Sequence, residues 1–341
     1  MAAPARFEKE RRNTVESVEA ALAQAGVHHD DRVLAAVSGG SDSTALVEIL
    51  VNLPLSRRPA VSLAYVDHGL EPDRHRREAE HVAALARRCR LDFACLRLDN
   101  AGHRDEAALR AMRHGALEDH AAQSACRWIA TGHTLDDQIE TVLFRLLRGS
   151  GRLGIGGIAL RRGMWIRPLL AIRRRELQRI LTRVGLTWCE DPSNADPRYA
   201  RNRIRGGLVP VIEAEIGRRG LARLGRASQR WREEDRLLEE LAAREYAYAV
   251  RGEAVDVVAL RGSAPPLRAR VLRRWLRETG LSGSVELVHV EAVEALALSG
   301  RDEGSIDLPG LTVNRGDGRL TGAQRKLQPP AACPAAAKQV P

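Results

Sequence analysis

Lysine is nearly missing from this 341-residue chain, which carries it only at Lys9, Lys326 and Lys338. The positive charge is therefore almost all arginine, whose planar fork grips a phosphate through two parallel hydrogen bonds as an ammonium does not. The alanine-rich composition points to codon bias as the source of that choice, but the net charge of +10 still asks for a polyanionic partner, and nucleic acid is the commonest. Long apolar runs are missing as well. No stretch of about 18 apolar residues occurs, so no segment reads as membrane-spanning. The opening MAAPARFEKERRN lacks the apolar centre of a secretory signal, and the chain is expected in the cytoplasm. Paired cysteines are the third absence. Cys89, Cys95, Cys126, Cys189 and Cys333 are odd in number and form no C-x-x-C. That argues against a disulfide framework and against a thiolate zinc or iron–sulfur site; the cysteines read as reduced, small hydrophobes.

What is present is an ordinary globular balance, 44% hydrophobic and 29% charged, at a length that suits two domains. VLAAVS at residues 33–38 is an unbroken apolar run that stops at glycines, as a strand buried on both faces requires. Further strands read at VSLAYVDHG, LDFACLRL and RWIATG, each followed by a helical pattern, and a lead-in helix covers residues 13–25. Strand and helix alternating with short connections predict an α/β fold with a doubly wound parallel sheet. Ligands of such sheets lie beyond the carboxyl ends of the strands, where SGGSDS, DHGL and TGHTLDDQ fall. Near Pro210 the pattern changes to long Arg/Glu-rich helices, two more helical stretches, and short strands around the Gly-Asp-Gly turn of IDLPGLTVNRGDGRLTG. The expected division is a catalytic domain over 1–212, a smaller, mainly helical domain over 213–325, and a disordered Pro/Ala-rich tail over 326–341. No internal repeat is visible.

Two segments carry chemistry. In SGGSDS, formed by Ser38, Gly39, Gly40, Ser41, Asp42 and Ser43, the glycines permit close backbone approach to a ligand and the helix that follows offers its N–H groups to an anion. No lysine follows, so this is not the P-loop, and it suits a pyrophosphate that leaves as one unit. Asp42 calls for Mg²⁺ between itself and the phosphates. A plain helix cap explains the motif alone about as well; its place after the first strand favours phosphate. In TGHTLDDQIETVLF, His133, Asp137 and Glu140 share one helical stripe, apart from the apolar stripe of Ile139, Val142, Leu143 and Leu146. Carboxylates so spaced suit Mg²⁺ or a cationic substrate, while Asp136 reads as a solvated acid favoured by the helix dipole. Glu106, Arg110 and Arg113 share another face; spacing alone favours a simple Glu106–Arg110 ion pair over arginines that stabilise a transferring phosphoryl group.

Taken together, these segments resemble one family. SGGSDS is similar to the SGGxDS motif of N-type ATP pyrophosphatases. The ordered set SGGSDS, DHGLEPD, EAALRAMRH, TGHTLDDQIETVLFRLLRGSGRLGIGGI, RPLL and WCEDPSNADPRYARNRIR, spanning about 33–205, resembles the tRNA(Ile)-lysidine synthetases within that superfamily. The C-terminal part matches loosely. The resemblance implies a PP-loop fold of the adenine nucleotide α-hydrolase type, with ATP, Mg²⁺, free lysine and the isoleucine tRNA of CAU anticodon as reactants. ATP would adenylate the C2 oxygen of the wobble cytidine with release of pyrophosphate. The lysine amine would then displace AMP to give lysidine, changing the codon read from AUG to AUA. By position, Ser38 to Ser43 would hold phosphates, and Asp42, Asp137 and Glu140 would hold metal or lysine. His133, Arg113 and Arg110 would stabilise the adenylation, and Asp67, His68, Glu106, Asn194, Arg201, Asn202 and Arg205 would line the tRNA or lysine side.

The chain departs from the family pattern at His114, where tyrosine is usual, and at Asp67, where asparagine often opens the second motif; His114 puts the tyrosine's stacking role in question. A thiolase of the same superfamily is the nearest rival, disfavoured by the missing C-x-x-C pair. A non-catalytic RNA-binding protein on the same fold is disfavoured by the intact Asp42, Asp137 and Glu140. The C-terminal domain is expected to position the tRNA through Arg218, Arg219, Arg223, Arg226, Arg230 and Arg232, which meet no nearby acid until Glu233.

Overall fold

A computed structural model describes residues 2–69, 72–98, 106–148, 155–190, 196, 198 and 200–324. The unbroken apolar runs become strands: β1 (Arg32–Ala36), β2 (Ala60–Asp67), β3 (Phe93–Arg97) and β4 (Trp128–Thr131), joined by the two-residue β5 (Arg161–Arg162) and β6 (Trp165–Ile166). They form one sheet in the order β3-β2-β1-β4-β6-β5. All pairings are parallel except that of β5, the antiparallel edge. Successive side chains of a strand point to opposite faces, so β1 sends Val33 and Ala35 into one apolar layer and Leu34 into another. The helices are α1 (Ala2–Ala25), α2 (Ser41–Val51), α3 (Pro72–Cys89), α4 (Glu106–Gln123), α5 (Leu135–Leu147) and α6 (Arg174–Arg183). The expected doubly wound sheet is present. Helix α1 runs further towards the N-terminus than its apolar pattern, which begins near residue 13.

Strand order reverses between β1 and β4, since the chain continues from β1 outward to β2 and β3 and then returns to β4 on the other side. Such a switch point opens a crevice at the strand ends. SGGSDS follows β1 there, and Gly132 to Thr134 follow β4. Gly132 brings the two together: a Cβ on it would lie 2.8 Å from the Ser43 amide nitrogen and 2.9 Å from the Asp42 carbonyl carbon. Only a residue without a side chain lets β4 end against the first turn of α2.

After α7 (Ala200–Arg203), a π-helical turn at Ile204–Leu208 leads into α8 (Val209–Ala249), which is broken at Gly217 with φ 71° and ψ 163°. Beyond the break, Leu221 and Ala222 bury against Leu135, Ile139 and Leu143 of α5. Gly225 lies flat on that helix, where a Cβ would sit 2.6 Å from Leu135 Cδ1. Gln138 Nε2 donates to Ser228 Oγ at 2.6 Å. The chain accordingly divides into compact units of residues 1–232 and 233–341, within α8, although the sequence pattern changes near Pro210.

The second unit holds α9 (Val257–Gly262), α10 (Pro265–Glu278) and α11 (Leu287–Leu298). Its strands are β7 (Val250–Arg251), β8 (Ala254–Asp256), β9 (Gly304–Leu308), β10 (Leu311–Gly316) and β11 (Arg319–Gln324). An antiparallel sheet ordered β7-β8-β11-β10-β9 packs a core around fully buried Trp275, Leu272 and Val313. The β10–β11 hairpin turns at Asp317 and Gly318 with φ 50° and 69°, as the Gly-Asp-Gly signal implied. The sheet makes this unit less purely helical than its sequence suggests. The expected tail at 326–341 lies outside the described residues. Among the described residues no helix is long and apolar enough to cross a membrane.

Gly132→Ala should therefore cost about 1–3 kcal/mol by forcing β4 and α2 apart, read by urea unfolding, and should weaken nucleotide binding. Gly115→Ala, whose Cβ would meet nothing within 4 Å in the middle of α4, should instead stabilise by up to about 1 kcal/mol. Equal effects of the two would contradict the close approach.

Candidate active site

The SGGSDS loop is held by its last serine. Ser43 Oγ donates to the Gly40 carbonyl at 3.0 Å and accepts from the Ser38 amide at 3.2 Å. Gly39 has φ 83°, a left-handed conformation that favours glycine, and its carbonyl accepts from the Cys189 amide at 2.9 Å. Gly40 is the N-cap of α2 and supplies no side-chain cap, so the first turn offers its amides to an anion rather than to its own cap. Ser38 is exposed and Ser41 and Asp42 half-buried at the crevice.

Asp42 meets Asp137 on one cation that the sequence reading did not single out. Arg174, the first residue of α6, donates Nε to Asp42 Oδ2 at 2.7 Å, and its Nη2 lies 3.3 Å from both oxygens of Asp137. Asp137 is fixed from the other side by a capping box: the Thr134 amide and hydroxyl each donate to its Oδ2 at 2.8 Å. Asp137 thus caps the N-terminus of α5 and faces the crevice at once. Asp136, expected to be a solvated acid, is instead built in. It accepts from the Arg174 amide at 2.7 Å and pairs with Arg173 Nε at 3.1 Å, so it caps α6 and orients Arg174.

Glu140 lies one turn further along α5 and is 3% exposed. Arg205 grips it from Nε at 2.6 Å and from Nη2 at 3.1 Å, and the same Nη2 stands 3.6 Å from Asp137. Burial and partners separate the three carboxylates. Burial raises Asp42 and Glu140 above the usual carboxylate range despite their arginines. Burial acts on Asp137 in the same sense, but Arg174, His133 and the Thr134 hydrogen bonds outweigh it and hold Asp137 below that range. Asp137 is therefore the most acidic of the three.

His133 lies two residues past the end of β4, with Nδ1 2.8 Å from Thr131 Oγ1. Burial, reinforced by Arg167, Arg110 and Arg201 and opposed by Asp137, lowers it to about 4, so near neutral pH it is an uncharged hydrogen-bonding group. Arg110, Arg113 and Arg201 are exposed. His114 stacks on Trp165 with ring centroids 4.2 Å apart, so it fills an aromatic position in the fold. Asp67 accepts from the Gly69 amide at 2.8 Å and lies 3.5 Å from Arg97; His68 stands beside it, 5.9 Å from the ring of His75. Asn202 holds the Asp196 carbonyl at 2.8 Å. The side chain of Glu106 and all of Asn194 lie outside the described residues. Among the described residues no three His, Cys, Asp or Glu side chains converge as a metal cluster. Asp42 and Asp137 nonetheless share a cationic partner through hard oxygen atoms, which is the donor chemistry Mg²⁺ takes with one or two carboxylates. Glu140 stands apart from that pair, held by Arg205.

Residues 11–212 match the PP-loop domain family, and residues 256–321 match the TilS substrate binding domain. The chain is 36% identical over 304 residues to the tRNA(Ile)-lysidine synthase of Mycolicibacterium paratuberculosis, a match covering 85% of this chain and 90% of that protein. It is 37% identical over 308 residues to that of Salinispora arenicola, with the same coverage. Among solved structures, the U34-tRNA thiolase NcsA of Methanococcus maripaludis superposes with a TM-score of 0.53 at 16% identity, over 65% of this chain and 80% of that one. That likeness concerns the fold alone.

Arg174→Met would leave two largely buried carboxylates facing each other. It should cost about 2–3 kcal/mol in urea unfolding at neutral pH, and added Mg²⁺ should restore more stability to the variant than to the wild type. An unchanged midpoint with and without Mg²⁺ would show that the carboxylates do not depend on a shared cation.

Proposed function

Because this chain belongs to the tRNA(Ile)-lysidine synthase family, we propose that it adenylates the C2 oxygen of the wobble cytidine in the CAU-anticodon isoleucine tRNA and then joins free lysine to that carbon. The observation that carries this reading is the meeting of Asp42 and Asp137 on one cation beside the SGGSDS loop. A pyrimidine C2 carbonyl is a poor electrophile. Its oxygen attacks the α-phosphorus, the bond to the β-phosphate breaks, and pyrophosphate leaves as one unit held by the Ser38–Ser43 backbone. The C2–oxygen bond then becomes the one that breaks when the lysine nitrogen attacks, and AMP departs with the oxygen. This is carbon–nitrogen ligation driven by ATP cleavage to AMP and pyrophosphate.

Lysine's amine arrives protonated, with a pKa near 10.4 in water. Asp137, held ionised, suits the role of electrostatic anchor for that ammonium. Glu140, whose burial raises its proton affinity, suits the role of proton acceptor. Neutral His133 contributes a hydrogen bond, and Arg113 contributes positive charge. When bound, Mg²⁺ would neutralise phosphate charge, with Asp42 and Asp137 as the residues to hold it. The second unit, with its match to a substrate binding domain, is assigned to positioning the tRNA. The reaction is placed in the cytoplasm, where tRNA, ATP and lysine meet. No observation favours the thiolase reading.

Incubation with CAU-anticodon isoleucine tRNA, Mg-ATP and labelled lysine tests the proposal: label should enter the tRNA with equal AMP and pyrophosphate, whereas ADP and phosphate would contradict it. Asp42→Ala and Asp137→Asn should each lower turnover by at least about 100-fold with the fold retained by circular dichroism. Asn is chosen at Asp137 so that an acceptor remains for the capping box. A near-wild-type rate in either variant would remove that residue from the site.

A further inference from the structure

Arg167 directly follows β6 and is 9% exposed. Its Nη1 donates to the Ala159 carbonyl at 3.0 Å, yet among the described residues no carboxylate pairs with it. Buried charges are ordinarily paired with the opposite sign. Here the surroundings carry the same sign. In the β5–β6 hairpin Arg162 stands opposite Trp165, so Arg162, Trp165 and Arg167 share one face of the hairpin. Trp165 stacks on His114 of α4 and donates its Nε1 to Glu118 at 2.6 Å, which brings α4 against that face. Arg110 lies one turn before His114 on the same side of α4 and is exposed. Burial, with repulsion from Arg110, Arg162 and Arg232, brings the Arg167 guanidinium down to about 10. A buried arginine crowded by arginines lacks an anion.

Position along the sheet says which anion. SGGSDS follows β1, His133 follows β4 and Arg167 follows β6, and these strands are neighbours in the order β1-β4-β6. With strands about 4.8 Å apart, the Arg167 backbone lies about 10 Å along the sheet edge from the phosphate loop, with His133 between. ATP phosphates on the loop after β1 leave the acceptor to arrive from the β6 side. We propose that Arg167 and Arg110, with Arg162 at the rim, hold a backbone phosphate of the RNA beside the nucleotide that is adenylated. This rests on the function proposed above and adds to it a fixed point for the RNA chain within the catalytic unit.

The test is binding of a labelled RNA hairpin with a CAU loop to the full chain, titrated from about 50 to 200 mM salt, alongside ATP binding without RNA and inhibition by pyrophosphate. Arg167→Met and Arg110→Met should each weaken hairpin binding about tenfold and reduce the slope of log affinity against log salt by about one. Arg162→Gln should have a smaller effect of the same kind, and Arg167→Lys should recover part of the loss. ATP affinity should not change. Unchanged hairpin affinity and slope in both methionine variants would overturn the site. Weaker pyrophosphate inhibition with intact RNA binding would assign the cluster to the leaving group and also overturn it. Arg110 is exposed, so Arg110→Met decides the matter even if Arg167→Met does not fold. A wild-type protein that binds ATP but neither the hairpin nor the whole tRNA would overturn the functional reading itself, an outcome distinct from variants that match an RNA-binding wild type.

Discussion

Two carboxylates that repel one another are held at the same edge of the sheet by one guanidinium, and the rest of the catalytic unit is arranged around that constraint. Asp42 comes from the first turn of α2, Asp137 from the first turn of α5, and Arg174 from the first residue of α6. Three helix N-termini therefore converge where the strand order reverses. Gly132 lets α2 approach β4, Thr134 fixes Asp137, and Asp136 caps α6 so that Arg174 points at the pair. Helix N-termini favour negative charge, and the crevice they form is suited to phosphates on one side and to a cation on the other. A buried ion pair offers little net stability once desolvation is counted. What it does here is hold two acids of like charge close together.

The same logic separates the acids by environment. Glu140 is tied to Arg205 and buried, while Asp137 is hydrogen-bonded and flanked by positive groups. Opposite shifts on neighbouring carboxylates suit the two roles proposed for them, ionised anchor and proton acceptor. Arg205 touches both, so the arginine-rich segment at 201–205 reaches these acids through its last residue.

Much of this was legible in the sequence because it is local. An unbroken apolar run such as VLAAVS that stops at glycines suits a central strand and a turn, and helical periodicity separates Asp137 from the apolar face of α5. The remainder depends on contacts between distant segments. Arg174 lies 132 positions from Asp42, in a run of three arginines with nothing local to mark the one that turns inward. Asp136 looks like an ordinary dipole-favoured acid until α6 is docked against it. Glu140 shares the stripe of Asp137, yet Arg205 covers it, so periodicity gave its direction without its burial. The sequence shows no acid among the arginines at 218–232 before Glu233, which makes them one set free to meet RNA. In the structure Arg218 pairs with Glu213 and Arg232 holds the Gly156 carbonyl, whereas Arg219, Arg223, Arg226 and Arg230 are exposed. In the second unit the strands around the Gly-Asp-Gly turn were legible, whereas β7 and β8, of two and three residues, are too short for alternation to register.

The central claim is that the catalytic unit activates an RNA base by placing AMP on its oxygen. Isotopic labelling tests this most directly: tRNA carrying ¹⁸O at the C2 position of the wobble cytidine is converted with Mg-ATP and lysine, and the released AMP is examined by mass spectrometry. The account requires one ¹⁸O atom in each AMP formed, because the C2–oxygen bond is the one that breaks. AMP without the label, or label appearing in water or inorganic phosphate, would contradict it.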